Sequence, residues 1–202
     1  MAVRRRDALA GVRELLTERR RFLCSFLAAP TRVGAVLPTS RRTVRVTLDM
    51  AALAEARCVV ELGAGTGPYT REILARLGSH GRLVSFEIDP VLATALARDL
   101  CDTRLTVVAD SALNLEAHLD GRRADVIVSA LPFTSLPSAM RTEILTVARR
   151  SLANAGVMLV LQYSPFIQRE LERTFCSVER RVSLLNVPPA VVFACRAMKQ
   201  AS

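Results

Sequence analysis

Short apolar runs alternate with segments of helical period over most of the chain. The early runs are apolar throughout, as expected for strands buried on both faces of a parallel sheet. The segments between them repeat apolar residues every three or four positions, which is typical of helices that cover such a sheet. The pattern predicts seven strands, at 58–62, 82–87, 105–108, 125–129, 157–162, 179–184 and 191–196.

Helices are predicted at 41–54, 69–77, 90–100, 138–152 and 165–175, with Ser40 as a candidate cap of the first. The last two strands are joined by Asn186-Val187-Pro188-Pro189, which is too short for a crossover helix. One of these two strands must therefore run antiparallel. We predict an α/β fold with a seven-stranded, mostly parallel sheet, one antiparallel strand and N-terminal amphipathic helices.

The first 45 residues differ from the rest of the chain in charge. They hold eleven arginines against three acidic residues, a net charge of +8, whereas the whole chain carries +9. Between the arginines, apolar residues recur at intervals of three, four and seven, which predicts a basic amphipathic helix over 7–27. We therefore divide the chain into a basic helical extension at 1–45 and an α/β domain at 46–202.

The basic extension indicates an anionic partner, either phospholipid headgroups or nucleic acid. The alternative is a solvated face that only aids solubility. On a membrane, the helix would lie in the interface, held by arginines and by apolar anchors. The residues assigned to this contact are Arg4, Arg5, Arg6, Arg13, Arg19, Arg20, Arg21, Phe22 and Phe26. The pattern does not indicate an oligomeric state.

Neither a metal site nor a disulfide framework is predicted. The five cysteines are odd in number and widely spaced, which indicates a reducing compartment. His80 and His118 are isolated in the sequence, so we interpret both as loop or surface histidines. No secretory signal or transmembrane helix is expected. The expected location is the cytoplasm, peripheral on the inner face of the cell membrane.

A glycine-rich turn, Glu61-Leu62-Gly63-Ala64-Gly65-Thr66-Gly67, joins the first predicted strand to the next helix. Glycines at such a turn let the backbone approach a nucleotide-like ligand. The second strand ends in Glu87, whose carboxylate can accept both hydroxyls of a ribose. Open parallel sheets bind ligands at the carboxyl ends of their strands, where Asp110 and residues 129–133 also fall. The sequence therefore predicts a cofactor that contains a nucleoside.

This arrangement resembles the class I S-adenosylmethionine-dependent methyltransferases, which have a Rossmann-like fold. Their pattern is an acidic residue, a glycine turn, and acidic residues after strands two and three, matched here by Glu61, residues 63–67, Glu87 and Asp110. A dinucleotide-binding domain is the alternative, but its third glycine comes one residue later than Gly67. The resemblance implies S-adenosylmethionine as cofactor, S-adenosylhomocysteine as product, and no metal.

The resemblance also implies roles for individual residues. Gly63 and Gly65 would approach the methionine part, and Glu61 would face its ammonium group through water. Glu87 would take the ribose and Asp110 the adenine amine, with a helix cap as the alternative for Asp110. The residues assigned to the cofactor are Glu61, Gly63, Ala64, Gly65, Gly67, Tyr69, Glu87, Ile88, Asp110, Ser111 and Ser129.

A narrower resemblance covers nearly the whole chain. Four stretches are similar to the small bacterial phospholipid N-methyltransferases, which convert phosphatidylethanolamine stepwise toward phosphatidylcholine. They are residues 32–40, the glycine turn, Leu131-Pro132-Phe133-Thr134-Ser135-Leu136-Pro137, and Asn186-Val187-Pro188-Pro189-Ala190. This resemblance implies methylation of the headgroup amine of phosphatidylethanolamine and its methylated derivatives by a peripheral membrane protein.

Methyl transfer to an amine requires a neutral nitrogen in line with the methyl group. We expect the backbone carbonyls of Ser129 or Ala130 to accept hydrogen bonds from that amine. Phe133 would either face the positive charge that develops on nitrogen or plug the core. Tyr163, just past the fifth strand, is expected to contact substrate rather than abstract a proton. Ala130, Phe133 and Tyr163 are the predicted catalytic residues.

Three other functions are alternatives to lipid methylation. RNA adenine dimethylation is disfavoured, because Ala130 stands where those enzymes carry an asparagine that grips the base, and the chain ends soon after the sheet. Nucleic acid is therefore not the expected partner. A small-molecule methyltransferase of specialised metabolism stays open, with the amphipathic helix as a lid or dimer contact. A non-enzymatic scaffold is weakened, because each cofactor position holds a suitable residue.

Overall fold

The fold is described from a computed structural model, over residues 40–183 and 189–197. The predicted amphipathic helix at 7–27 and every residue assigned to membrane binding lie outside these ranges. So does most of the turn before the last strand.

Helices and strands alternate through the described residues. The α-helices are α1 (Arg41–Leu48), α2 (Pro68–Arg76), α3 (Pro90–Asp99), α4 (Ser138–Ser151) and α5 (Gln168–Thr174). The strands are β1 (Cys58–Leu62), β2 (Arg82–Phe86), β3 (Leu105–Val108), β4 (Ala124–Ser129), β5 (Leu152–Gln162), β6 (Ser177–Ser183) and β7 (Ala190–Arg196). Three 3₁₀ turns that the sequence pattern did not separate lie at Ala112–His118, Phe133–Ser135 and Pro165–Ile167.

The seven strands form one sheet in the order β3-β2-β1-β4-β5-β7-β6. Strands β1 to β5 pair in parallel, and β7 runs antiparallel to both β5 and β6. The predicted mostly parallel sheet with one reversed strand is thus confirmed. All five residues of the interior strand β1 are buried, because helices cover both faces of a parallel sheet.

The strand β5 is longer than the sequence pattern predicted. It begins at Leu152, directly after α4, and its register against β4 shifts between Ala124 and Val126. Gly156 lies at this irregularity, where a Cβ atom would stand 2.9 Å from the carbonyl oxygen of Ala124. Only glycine lets the two backbones approach this closely.

The first described helix is shorter than predicted. Ser40 caps α1 by accepting from the Thr43 N–H at 3.2 Å, as expected, but the helix ends at Leu48 rather than at 54. Turn hydrogen bonds follow, and they carry Leu53 into the core. The boundary that we drew at residue 45 falls inside α1, whose Val44 packs into the core of the α/β domain. No described helix has the length and apolar character needed to span a bilayer.

Candidate cofactor site and acceptor loop

Three glycines shape the turn after β1. Gly63, Gly65 and Gly67 have φ angles of +82°, +55° and +82°, a region that other residues adopt only with strain. The N–H groups of Gly63 and Ala64 both donate to the carbonyl oxygen of Phe86, at 2.9 and 3.0 Å. These bonds tie the turn to the end of β2.

The three glycines differ in what surrounds them. A Cβ atom on Gly67 would collide with the Leu96 side chain, and one on Gly63 would lie 3.0 Å from Cδ2 of Leu131. A Cβ atom on Gly65 would have no protein atom within 4 Å. Gly65 is therefore the open position of the turn, where a ligand can approach the backbone.

Glu87 fastens the glycine turn to the end of β2. Its Oε2 accepts from the Gly65 N–H at 2.7 Å, and its Oε1 accepts from the Asp89 N–H at 2.9 Å. A carboxylate has about four acceptor positions, so two remain for the hydroxyls of a ribose. Glu87, which is predicted to bind the ribose, therefore also holds the glycine turn in place.

Asp110 lies in a polar cluster after β3. Its Oδ1 accepts from the Ser111 N–H at 2.7 Å and from the Asn114 amide at 2.9 Å, and its Oδ2 lies 3.0 Å from Nε2 of His118. Burial raises the pKa of Asp110, but these hydrogen bonds outweigh burial and lower the pKa below its ordinary value. Asp110 is therefore held as a carboxylate, the form that accepts from an adenine amine.

His118 belongs to this cluster and is not an isolated loop histidine. Besides its contact with Asp110, its ring meets the Phe86 ring edge to face, with centroids 5.4 Å apart. The helix cap that was an alternative role for Asp110 is made instead by Ser111, whose hydroxyl accepts from the Leu113 N–H at 3.2 Å.

Glu61 is buried in β1, with 1% of its surface exposed. Its Oε2 accepts from the hydroxyls of Ser85 and Thr70, at 2.6 and 2.7 Å. Its Oε1 is buried and has no hydrogen-bond partner among the described residues. Burial raises the pKa of Glu61 to about 7, against the lowering effect of the two hydroxyls. An unsatisfied carboxylate oxygen here fits an ammonium group that approaches through water.

These features fit the predicted cofactor. Glu61 would compensate the methionine ammonium, Gly65 would leave room for the ligand, and Glu87 and Asp110 would hold the ribose and adenine. Bound S-adenosylmethionine supplies a methyl group on a positively charged sulfur. No group of His, Cys, Asp and Glu within 40–183 and 189–197 is arranged to hold a metal ion.

Tyr69, which we assigned to the cofactor, packs in the core at the start of α2. It is buried, and its hydroxyl donates to Oγ1 of Thr47 at 3.2 Å. Burial raises its pKa above the ordinary tyrosine value. Tyr69 therefore joins α2 to α1 in the core, because its ring lies on the inward face of α2. Ile88 and Ser111 are also buried, beside the ends of β2 and β3.

The loop after β4 lies directly against the glycine turn. The Ala130 N–H donates to the Leu62 carbonyl at 3.1 Å, and Leu131 is the side chain that a Cβ on Gly63 would meet. Ser129 is buried, and its hydroxyl accepts from the Leu131 N–H at 3.4 Å. We call residues 129–137 the acceptor loop, since this placement brings Ala130 and its neighbours next to the predicted cofactor.

Phe133 was predicted either to face the substrate nitrogen or to plug the core, and in the structure it is buried in the core. Its side chain is 0% exposed, so in this structure the ring cannot face a substrate nitrogen. Tyr163 is half-buried against the core, directly after β5. It stays a predicted substrate contact.

Two buried polar residues hold the acceptor loop, and neither was predicted. Arg141 of α4 donates to the carbonyls of Phe133 and Leu136, at 3.3 and 3.0 Å, and pairs with both carboxylate oxygens of Glu170, at 2.8 and 2.6 Å. Arg141 precedes Ile144, Leu145 and Ala148 by three, four and seven positions. The signal in the sequence was therefore an arginine on the apolar face of a helix, which indicates a buried, paired charge.

Gln162 at the end of β5 is the second support. It is buried, and its side-chain amide donates to the Leu131 carbonyl at 2.8 Å and to the Leu161 carbonyl at 2.6 Å. A glutamine that ends an otherwise apolar run was the signal in the sequence.

Replacing Gln162 by Leu should loosen the acceptor loop without touching the cofactor residues. The Leu131 carbonyl would lose its partner, at a cost of about 1–2 kcal/mol. We expect faster hydrogen exchange over 131–136 and a turnover number lower by about tenfold, with cofactor affinity unchanged. Asn154→Leu, at an exposed amide on the same strand, is the control. An equal loss of cofactor affinity would contradict the assigned role.

The fold and the site together define a class I S-adenosylmethionine-dependent methyltransferase. A glycine turn follows β1, acidic residues follow β2 and β3, and the sheet has one reversed strand inserted beside β5. The family model described as ribosomal RNA adenine dimethylase matches residues 31–188, and the chain belongs to this family.

The proteins that are similar to this chain in sequence or in fold include methyltransferases. An ornithine lipid N-methyltransferase of Singulisphaera acidiphila is 32% identical over 184 residues, which are 89% of this chain and 96% of the relative. The N-methyltransferase NodS of Bradyrhizobium japonicum, solved with S-adenosylhomocysteine, superposes with a TM-score of 0.66 at 16% identity, covering 89% of this chain and 98% of NodS. An O-methyltransferase family protein of Burkholderia thailandensis gives 0.63 at 17% identity, over 82% of this chain and 58% of that one. At these identities the solved structures show the fold alone.

Proposed function

We propose that this protein methylates the headgroup amine of a membrane lipid, with phosphatidylethanolamine and its methylated derivatives as acceptors. The observation that carries the proposal is the likeness to a lipid N-methyltransferase over 96% of that relative's length. The relative is named for ornithine lipid, which also presents an amine in its headgroup. Ornithine lipid is therefore the second acceptor within the same chemical class.

The acceptor loop supports a lipid amine over an RNA base. In RNA adenine dimethylation, the asparagine side chain of this loop would grip the base and its aromatic ring would stack on it. Here position 130 is alanine, and the ring of Phe133 in this loop is fully buried. A headgroup amine has no flat ring to stack, so backbone carbonyls suffice to orient it.

The acceptor is best identified by supplying labelled S-adenosylmethionine with one acceptor at a time. The acceptors are detergent-solubilised phosphatidylethanolamine, ornithine lipid, total RNA and a cell metabolite extract. We expect label in phosphatidylethanolamine. Label only in ornithine lipid would support a lipid amine as the acceptor class but replace phosphatidylethanolamine by ornithine lipid. Label only in RNA or in small polar products would overturn the proposal.

We further propose that the protein works on the inner face of the cell membrane through residues 1–45. Support comes from the net charge of +8 in this segment. We expect the protein to sediment with anionic vesicles and to be released by high salt. Charge reversal at Arg4, Arg5, Arg6, Arg19, Arg20 and Arg21 should weaken this binding and leave cofactor affinity unchanged. Equal binding to neutral vesicles would remove the electrostatic basis.

A further inference from the structure

Two exposed apolar side chains lie at the carboxyl edge of the sheet, away from the cofactor residues. Phe166, in the turn after β5, is 65% exposed, and Val182 near the end of β6 is 52% exposed. Val182 pairs with Val191, which pairs with Gln162 at the end of β5. Both side chains therefore belong to the edge at which β1, β4 and β5 also end.

Phe166 and Val182 also lie on the same side of the sheet. Arg180 donates to Oε1 of Gln168, the first residue of α5, at 3.3 Å, so the Arg180 side chain is on the α5 side. Val182 follows two positions later in the strand and points the same way. Phe166 lies two residues before α5, and the Arg141 guanidinium lies 5.6 Å from the centre of its ring.

Arginines flank this apolar pair. Arg169 and Arg173 follow Phe166 by three and seven positions, which places them on one face of the turn and helix. Both are exposed, and neither forms an ion pair with a described residue. Of the neighbouring acids, Glu170 pairs with Arg141, whereas Glu172 accepts from the neutral Gln168 amide at 2.8 Å and keeps its charge. We name the set the α5 surface: Phe166, Arg169, Arg173, Arg180 and Val182.

We propose that the α5 surface contacts an anionic lipid bilayer. Exposed apolar side chains among exposed arginines match the boundary between acyl chains and anionic headgroups. The surface lies outside the basic segment at 1–45 and shares the sheet edge that carries the acceptor loop. Contact there brings the acceptor loop to the bilayer, so the inference rests on the proposed lipid acceptor.

A tryptophan probe can test this contact directly, because the chain contains no tryptophan. In Phe166→Trp the probe sits on the α5 surface. In His80→Trp it replaces an exposed residue in the turn before β2, at the opposite edge of the sheet. Each full-length variant is mixed with phosphatidylglycerol/phosphatidylcholine vesicles that carry brominated acyl chains, and with neutral phosphatidylcholine vesicles of the same kind.

With anionic vesicles, we expect the tryptophan emission of Phe166→Trp to shift to the blue and to be quenched at least about twofold. The emission of His80→Trp should change little. Three results would overturn the proposal: no quenching in Phe166→Trp while the protein sediments with the vesicles, equal quenching by neutral vesicles, or no sedimentation at all.

A charge-matched comparison tests whether Arg169 and Arg173 act through their position on the α5 surface or only through net charge. Arg169→Gln/Arg173→Gln removes two charges from the α5 surface, and Arg123→Gln/Arg149→Gln removes two exposed charges elsewhere. We expect the first pair to weaken partition into anionic vesicles by about tenfold more than the second. Equal weakening would mean that only net charge matters, which overturns the proposal.

Methyl transfer to detergent-solubilised lipid separates this proposal from the proposed function. Transfer to the lipid without a vesicle-induced signal in Phe166→Trp overturns the α5 surface and leaves the lipid acceptor standing. A vesicle-induced signal in Phe166→Trp without transfer to any lipid supports the surface and overturns the acceptor.

Discussion

Replacing Gly65 by Ala should weaken cofactor binding by more than about tenfold while the protein stays folded. The Cβ atom would enter the open space beside the turn, where no protein atom lies within 4 Å, and would occupy volume that the ligand needs. Forcing a methyl group into a filled site costs about 1–3 kcal/mol. The φ angle of +55° adds strain that lowers the free energy of unfolding by about 1–2 kcal/mol. Calorimetric titration with S-adenosylhomocysteine and urea unfolding measure the two effects.

Gly121→Ala is the matched control for this substitution. Gly121 has a φ angle of +73°, and a Cβ on it would also meet nothing within 4 Å. It lies before β4, at the opposite edge of the sheet, so both variants should lose similar stability and only Gly65→Ala should lose affinity. Gly67 would not serve, because a Cβ there collides with Leu96. Equal affinity in the two variants would place the cofactor elsewhere.

The strands and the cofactor residues could be predicted because their signals are local. A buried parallel strand is apolar at every position, and the residues that matter follow such strands directly. The run before Gly63 predicted β1 to the residue. The start of β5 was missed, since it depends on a register shift against β4 and on the close approach at Gly156.

The supports of the acceptor loop could not be predicted in the same way, because their partners are distant in sequence. The Arg141–Glu170 and Gln162–Leu131 contacts join residues that only the fold brings together. In the sequence, Arg141 and Gln162 stand out as polar residues within apolar patterns. The sequence does not show which groups they contact. His118 was missed for a related reason, since the 3₁₀ turn at Ala112–His118 is what carries it back to Asp110.

The methyl acceptor follows from neither the fold nor the cofactor residues. An N-methyltransferase and an O-methyltransferase family protein superpose on this chain about equally well. The part of this chain that lies against the glycine turn, and so next to an acceptor, is the loop after β4. In this chain that loop has an alanine and a buried phenylalanine, so its polar groups are the backbone and the hydroxyls of Ser129, Thr134 and Ser135.

Replacing Glu61 by Gln should make the cofactor-free protein more stable at pH 8 and weaken its binding of cofactor. Burial raises the pKa of Glu61 to about 7 in the folded protein, from 4.5 in the unfolded chain. Between these values the folded state keeps the proton and the unfolded state releases it, so stability falls as pH rises from about 4.5 to 7. The total loss is about 3 kcal/mol, and it levels off above pH 7. Glutamine has no charge to bury and should lack this slope.

The two effects of Glu61→Gln have one cause, which is a buried carboxylate that faces a cationic ligand through water. Urea unfolding of wild type and variant from pH 5 to 8.5 should give curves that converge at low pH and separate toward neutrality. Affinity for S-adenosylmethionine at pH 8 should fall by about tenfold, because the methionine ammonium loses a charge-assisted partner. Glu55→Gln, at an exposed carboxylate, is the control. If the variant is less stable than wild type at every pH, the main role of Glu61 is to stabilise the sheet and not to bind the cofactor.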